Sequence, residues 1–491
     1  MTLEIAFLNV EFNVIRIASN WIFMLGLAYY LLTNLQWYSY KISRVLFKHH
    51  KWRWHIFYFI VPITLMLLLG DYFYFYLYLV YLPFLIYWAK NLDKPLVFTN
   101  RVERFLFVYI AFILFGEVLY YRSDSEGVHN YLYLPSIILA VIISNLMESI
   151  LLNRYAKVAK EKIESLQDLT IIAVTGSFGK TSLKNFLAQI LSDKFQVYAT
   201  PRSVNTFIGV VNDINNNLPT FCDIYIVEAG ARGEGDILEI TNLVSPHYGI
   251  IGKIGSAHIE YFKDVYTIQK TKYELAQSSR LKTLYTHSDN EIPEGVQATF
   301  FPEEVRNIHA TLDGTLFELK INGQFYPFKT SILGAFNAHN ISAAITLAYK
   351  LGISIERIQK EVEKLMPVPH RLNKLEVNQK ILIDDSFNGN IEGMLEAIRL
   401  TSLYCNGRRI IVTPGLVESC EEDNVRLAEA IDSVFQIVII TGELNSEILT
   451  KHITKAQKIL LKEKRAMESI LKASTHAGDI ILFANDAPSY I

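Results

Sequence analysis

An apolar, β-branched run, Leu169–Val174, leads straight into Thr175-Gly176-Ser177-Phe178-Gly179-Lys180-Thr181-Ser182, and the amphipathic segment Leu183–Leu191 follows. Strand, glycine-rich turn and helix in that order can cradle phosphate, because the turn's N–H groups and the positive end of the helix face the same anion. At this spacing the Lys180 ammonium reaches the terminal phosphates of a nucleotide and the Thr181 hydroxyl ligates Mg²⁺. The strict motif has a glycine five residues before Gly179, where this chain has Val174. A chance glycine-rich turn is therefore the competing reading, and the flanking strand and helix weigh against it.

Further chemistry-bearing residues follow in order. Asp223–Val227 reads as a buried strand ending in Glu228-Ala229-Gly230. A carboxylate at the carboxyl end of a parallel strand sits where open α/β sheets bind ligands. Tyr248–Ile254 reads as the next strand and delivers Gly255-Ser256-Ala257-His258, while Gln269–Glu274 opens a helix carrying Lys272. A lone histidine or lysine of this kind is more often structural or solvated. Placed in sequence after a phosphate loop, they read as a phosphoryl-transfer site with two metals. Later, Lys380–Ile383, Arg409–Val412, Ile437–Thr441 and Ile480–Phe483 are strand-like runs separated by helical segments such as Val425–Val434, which predicts a second open α/β sheet.

The elements that must position these residues occupy only part of the chain. Its 491 residues suit about three domains. A charged share of 20% against 51% hydrophobic residues has a local cause: residues 1–155 are crowded with Phe, Tyr, Leu and Ile. Five apolar stretches approach the length of a membrane span: Ile17–Tyr38, His55–Gly70, Tyr72–Trp88, Phe105–Tyr121 and Tyr131–Ile150. The second and third are short and adjoin at Asp71, which predicts a tight hairpin or a re-entrant pair. Lysines and arginines cluster at 41–53, 90–104 and 154–162, whereas 122–130 carries Asp124 and Glu126. The positive-inside rule then places the N-terminus outside and everything after residue 155 in the cytoplasm. Trp37, Tyr38, Trp52, Trp54, Tyr87 and Trp88 read as an interfacial belt. Glu117 lies one turn from the outer end of its span and reads as a snorkelling carboxylate, with a functional intramembrane acid as the alternative. Net charge is −2, so no basic field points to nucleic acid. Cys222, Cys405 and Cys420 have no metal or disulfide spacing and read as buried small side chains.

The ordered motifs of residues 169–491 resemble those of the Mur ligases. The similarity rests on Thr175–Ser182, on Asn205-Thr206-Phe207-Ile208-Gly209, and on Glu228-Ala229-Gly230 with Gly235-Asp236-Ile237. It continues through Ile254–Glu260, the Thr271–Glu274 box and Gly334–Asn340. Arg371 then stands where the family arginine opens the C-terminal domain, and Asp384-Asp385-Ser386-Phe387-Asn388-Gly389-Asn390 follows. That last box is most similar to the branch of the family that adds D-alanyl-D-alanine. Phe336, Phe387, Gly389 and Ile391 depart from the usual residues, as does the stretch Val412–Glu418. The family's N-terminal UDP-binding domain is replaced by the apolar region.

The resemblance implies a fold and a chemistry. The expected architecture is an N-terminal helical transmembrane bundle (1–155), then α/β: a P-loop-type ATP-binding central domain (156–368) and a Rossmann-like C-terminal domain (369–491). The expected reaction is ATP-dependent, ADP-forming amide synthesis in peptidoglycan precursor assembly. A carboxylate of UDP-N-acetylmuramoyl-tripeptide is phosphorylated, and D-alanyl-D-alanine displaces the phosphate. Thr175, Gly176, Ser177, Phe178, Gly179, Lys180, Thr181 and Ser182 would hold the phosphates, Asn337 and Asn340 the adenine, and Arg371 and Asp385 would reach across from the C-terminal domain. Thr181, Glu228, His258 and Lys272 would serve two Mg²⁺ ions, Lys272 as a carbamate, because an ammonium would repel the metal. Lys180, Lys272, His258, Arg371 and Asp385 would be catalytic, and Asn205, Thr206, Ser386, Phe387 and Asn388 would meet substrate. Expected partners are membrane lipid and membrane-bound wall-synthesis enzymes, at the inner face of a bacterial cytoplasmic membrane. A membrane-tethered polyglutamate synthase, which shares the core, is the alternative enzyme. A catalytically dead membrane scaffold is the third class, disfavoured because Lys180, His258 and Lys272 are all present.

Overall fold

The computed structural model describes the chain except residues 1, 39, 48, 50, 93, 123–128, 256–261, 263, 388, 418, 462–465 and 486–491; the side chains of 2–13, 120–122, 129–132 and 134 are also left out. Asp124, Glu126, His258 and Asn388 therefore lie outside the described residues. Two compact units divide at Arg154/Tyr155.

The first unit is helical. Thr2–Trp37, Asn100–Arg122 and His129–Ser165 are single helices, and helical turns also fill Arg53–Lys90. Three stretches are long and apolar enough to cross a membrane by length and composition: Val14–Trp37, Arg53–Lys90 and Pro135–Ser165. The second of these is not one straight rod. Gly70, at φ 56° and ψ −128°, reverses the chain. The Tyr81 hydroxyl then reaches the Tyr58 carbonyl at 3.3 Å, and the Tyr58 and Trp88 rings lie 5.5 Å apart. Thirty residues of straight helix would separate them by about 45 Å, so the chain doubles back between the adjoining short spans, as both the hairpin and the re-entrant pair require.

Two expectations for this unit change. Trp88 is buried, packed on Trp54 at 5.7 Å and Trp37 at 6.4 Å, so part of the expected aromatic belt is core. Glu117 does not snorkel: it is buried, and it accepts from the Tyr133 hydroxyl and from the Trp21 indole at 3.3 Å. An acid in an apolar bundle needs such donors. Arg104, expected between spans, lies within the helix Asn100–Arg122 and pairs with Glu148 at 2.6 Å.

The second unit is α/β. Its first sheet comprises β1 (Thr170–Thr175), β2 (Val197–Ala199), β3 (Ile224–Glu228), β4 (Tyr248–Ile251), β5 (Thr283–His287) and β6 (Thr299–Phe301). All pairings are parallel, in the order β2-β3-β1-β4-β5-β6. Helices cover both faces, so a strand such as β1 is apolar throughout. Ile172 and Val174 pack with Phe186, Leu187 and Ile341, while Ile171 and Ala173 pack with Val210, Ile214 and Ile240. A three-stranded antiparallel sheet, β7 (Val305–Thr311), β8 (Gly314–Ile321) and β9 (Gln324–Thr330), adds Phe317, Leu319 and Phe328 to the first of those cores. The last sheet contains β10 (Asn373–Val377), β11 (Lys380–Asp385), β12 (Arg409–Thr413), β13 (Ile437–Thr441), β14 (Gln457–Leu461) and β15 (Ile480–Ala484). Its order is β10-β11-β15-β12-β13-β14, and only the β10–β11 pair is antiparallel.

Smaller expectations are also corrected. β4 stops at Ile251, three residues short. Lys272 closes the helix Val265–Lys272 rather than opening one, with a 3₁₀ turn at Tyr273–Gln277. Cys222 is buried as expected, but Cys405 and Cys420 are exposed.

All five tryptophans precede residue 89, so indole fluorescence reports on the first unit alone. Substituting Val for Gly70 forces a β-branched side chain into a conformation open mainly to glycine. We expect it to destabilise this unit by about 1–3 kcal/mol. The measurement is indole fluorescence during thermal unfolding in detergent; an unchanged transition would show that the turn tolerates a side chain.

Candidate active site

The loop between β1 and the helix Lys180–Leu191 is held from beneath. The Ser177 and Phe178 N–H groups both donate to the Lys253 carbonyl, at 3.0 and 3.4 Å, and the Ser177 hydroxyl donates to the Gly255 carbonyl at 3.1 Å. These two N–H groups are thus engaged within the protein. The groups left to face an anion are those of the first helical turn, Lys180–Ser182, which have no intrahelical acceptor. Gly179 is the residue before the helix, at φ 72°, and a Cβ there would lie 2.6 Å from Asn340 Oδ1. The glycine therefore permits both the turn and the approach of the helix Ala335–Lys350. Asn340 reaches the loop in this way, and its amide donates to Asn337 Oδ1 at 3.1 Å. Asn337 is buried, with its own amide on the Leu333 carbonyl.

Glu228, at the end of β3, collects the polar side chains around the loop. Its Oε1 accepts from the Thr181 hydroxyl at 3.2 Å and from Asn205 Nδ2 at 3.0 Å, and its Oε2 lies 3.2 Å from Lys184 Nζ. Its own N–H donates to the Thr200 hydroxyl. Lys184 is 1% exposed and also donates to the carbonyls of Thr200 (2.7 Å) and Arg202 (2.5 Å). Sequence reasoning missed Lys184. The available signal was its place four residues after Lys180, hence on the same helix face, towards the strand that ends at Glu228. Thr206, beside Asn205, caps the helix Phe207–Asn216 by accepting from Gly209 N–H.

Two further lysines are buried around the loop. Lys180 Nζ folds back onto the carbonyls of Gly176 (2.8 Å) and Ser177 (3.0 Å). Burial pushes its ammonium down to about 8; Glu228 opposes the fall and Arg371 adds to it. Lys272 is 3% exposed, and burial with the nearby Lys180 charge pushes it down to about 7 against Asp236 and Glu274. Glu274, in the same box, accepts from the N–H groups of Gly235 (2.7 Å) and Leu238 (2.9 Å) and so caps the helix Asp236–Val244.

The C-terminal sheet contributes from the other side. Arg371 donates to the Phe387 carbonyl, and burial lowers its pKa while Asp385 and Glu228 raise it, which puts Arg371 within electrostatic reach of the central carboxylate. Asp385, at the end of β11, accepts from Leu372 N–H at 3.0 Å. Ser386 donates to Asp384 Oδ1 at 2.7 Å, and Phe387 is exposed. Lys253 bridges the sheets, 3.4 Å from Asp289 and 3.1 Å from Glu392. The His287 and His339 rings, 5.3 Å apart, were also missed; burial lowers both pKa values, that of His287 to about 4.

The described residues thus bring Lys180, Thr181, Asn205, Glu228, Lys272, Arg371 and Asp385 together. The donor set suits a hard cation, since the Thr181 hydroxyl and the Glu228 carboxylate meet at the phosphate loop. Among the described residues no group of three or more His, Cys, Asp or Glu side chains could hold a metal.

Comparison with known proteins agrees with this arrangement. The sequence model of the Mur ligase middle domain matches residues 174–348. The D-alanyl-D-alanine ligase named for UDP-N-acetylmuramoyl-tripeptide is 27% identical in Synechocystis, over 64% of this chain and 71% of the relative. Its Escherichia coli counterpart is 26% identical over 62% and 74%. Among solved structures, MurF of Thermotoga maritima in complex with ADP superposes with a TM-score of 0.60 at 25% identity, covering 68% of this chain and 80% of that one. MurF of Acinetobacter baumannii, at 23% identity, has the same fold with a TM-score of 0.60 over 68% and 77%. With a nucleotide loop, a buried carboxylate and two α/β sheets in this order, residues 174–348 match the Mur ligase middle domain. Within that family the chain is most similar to the MurF ligases.

The buried lysine gives a testable linkage. Below about 7 Lys272 is protonated in the folded and unfolded chain alike, so the folded state bears the full cost of a buried charge there. That cost fades as pH rises towards the ordinary lysine value of 10.5. Lys272→Met should therefore raise the melting temperature at pH 7 by about 2–4 °C or more, with the gain shrinking towards pH 10. Calorimetry in bicarbonate-free buffer checks this, and a pH-independent difference would contradict it.

Proposed function

We propose that the chain is an ATP-dependent, ADP-forming amide ligase that joins D-alanyl-D-alanine to UDP-N-acetylmuramoyl-tripeptide in peptidoglycan precursor synthesis. The observation that carries the reading is the convergence of Lys180, Thr181, Glu228 and buried Lys272 on one phosphate loop, in a chain similar to the MurF ligases. ATP use is supported by the likeness to a MurF structure holding ADP.

In this reading the first turn of the helix Lys180–Leu191 and the Lys180 ammonium bind the transferred phosphate and spread its charge. The substrate carboxylate attacks the γ-phosphorus, forming the acyl phosphate and releasing ADP. The amine then forms the C–N bond as the C–O bond to phosphate breaks. Thr181 and Glu228 would hold one Mg²⁺, with His258 and Lys272 serving a second. Bound metal supplies neutralisation of phosphate charge. Lys272 suits carbamoylation, because an amine with a pKa near 7 is largely neutral and nucleophilic at physiological pH. Carbamoylation also replaces repulsion from Lys180 by attraction. Asn337 and Asn340 would meet the base; Arg371 and Asp385 would close over the phosphates; Asn205, Thr206, Ser386, Phe387 and Asn388 would meet substrate.

Residues 1–155 are read as a membrane-spanning bundle that holds domains 156–368 and 369–491, the latter Rossmann-like, at the cytoplasmic face. A tether raises local product supply to enzymes working on membrane-bound carriers without adding a catalytic contact. Lipid and those enzymes are its expected partners.

Three measurements test these statements. With nucleotide tripeptide, ATP and D-alanyl-D-alanine, Lys180→Ala should lose turnover; retention of more than about a tenth would refute the phosphate-loop role. Lys272→Ala should be inactive and partly rescued by acetate or formate, which can supply the missing oxygen near the metal; full activity without rescue would make Lys272 a packing residue. A fragment starting near Asn153 should keep kcat with a modest rise in KM for the nucleotide substrate. A several-hundredfold fall in kcat/KM for that substrate alone would place the basic loops at 39–55 or 89–104 in its binding site.

A further inference from the structure

His370 has an unusual backbone and an unusually well-supported imidazole. Its φ is +64°, a left-handed conformation that disfavours a residue with a Cβ. The position therefore favours glycine, and an imidazole stands there instead. Its ring is fixed from below: Nδ1 lies 2.8 Å from Oδ2 of Asp384, and that carboxylate is 2% exposed. The other oxygen, Asp384 Oδ1, accepts from the Ser386 hydroxyl at 2.7 Å and the Ser386 N–H at 3.2 Å. The His370 carbonyl accepts from Phe387 N–H at 3.2 Å, and the two rings lie 5.2 Å apart. A carboxylate at Nδ1 holds the proton there and leaves Nε2 as the basic lone pair. One third of the side chain is open to solvent. The charged groups around it are Asp384 and Asp385 from β11 and Arg371, the next residue, which sits within electrostatic reach of Glu228 and Lys180.

Building on the ligase reading, we propose that His370 is the base that accepts a proton from the incoming amine. The amine arrives as an ammonium and cannot attack while its lone pair is protonated. One N–H proton passes to Nε2 of His370. The freed pair forms the C–N bond at the acyl carbon, the C–O bond breaks, and phosphate leaves with that bond's electrons and takes up the second N–H proton as hydrogen phosphate. The imidazolium, stabilised by Asp384, returns its proton to solvent. His370 lies against Ser386 and Phe387, in the box assigned to the substrate, so the base and the amine share one wall of the site.

The test uses the full chain in detergent and two variants. His370→Gly suits the left-handed backbone and should fold at least as well as the parent. His370→Asn tolerates that backbone and keeps a donor for Asp384, but has no basic nitrogen. Each is assayed with ATP, nucleotide tripeptide and either D-alanyl-D-alanine or hydroxylamine, an amine already unprotonated at neutral pH. Both variants should lose about 100-fold or more in kcat with D-alanyl-D-alanine and match the parent with hydroxylamine. Equal losses with both amines, restoration by asparagine, or unaltered kcat would each overturn the base. Parent turnover with unaltered variants would leave the ligase reading standing, whereas a parent inactive with D-alanyl-D-alanine would overturn both.

Discussion

The buried Glu228 carboxylate constrains the rest of the site. A charge taken from water at the end of a central strand has to be answered by nearby polar groups, or folding loses several kcal/mol. The answers come from two separate stretches of chain: Thr181 and Lys184, one turn apart on the helix after the phosphate loop, and Asn205 from the crossover after β2. Satisfying one carboxylate therefore fixes the helix against the sheet and draws the Thr200–Asn205 segment to the loop. Removing any single partner leaves charge uncompensated, which costs more than the pair contributes. The same network sets the charge that a divalent ion would find there.

Around that anion the protein holds more positive charge than one carboxylate can balance. Lys180, Lys184 and Lys272 are all shifted towards neutrality, with burial the largest cause in each. They differ in what they can do. Lys184 is locked by two carbonyls and Glu228, so it is a structural counter-ion. Lys180 is satisfied by its own loop's carbonyls and would exchange those bonds for phosphate oxygens. Lys272 points into a region with Asp236 and Glu274 nearby but has no close ion pair among the described residues, which leaves its amine chemically available. The three ammonium groups differ in their hydrogen-bond partners, and those partners divide their roles.

Much of this was legible in the sequence where local pattern and chemistry coincide. The strand–loop–helix at 170–191, the strand ending at Glu228 and four strands of the C-terminal sheet are continuous apolar runs bounded by polar turns, and they fold as such. What escaped was long-range. Lys184 reads as an ordinary helix lysine until β3 is laid beside it, and the His370–Asp384 contact joins residues fourteen apart through a turn no periodicity announces. The three-stranded sheet at 305–330 was missed, and so were the edge strands β10 and β14, half-exposed and short on apolar residues. Glu117 was misjudged because span position suggests an exit to water, whereas Tyr133 and Trp21 supply the donors inside the bundle.

The Lys253 bridge has a kinetic consequence. The lysine joins Asp289 on the central sheet's side to Glu392 at the start of the helix Ile391–Ser402, yet all three groups are 40–67% exposed. Such surface pairs contribute about 0–1 kcal/mol and weaken as salt screens them. Salt therefore loosens this corner of the contact and quickens its local opening. Parting the lobes further would also break the Ala335 N–H bond to Glu396 and the apolar packing of Ala310 and Leu333 in the C-terminal core, so that larger motion is slow at any ionic strength.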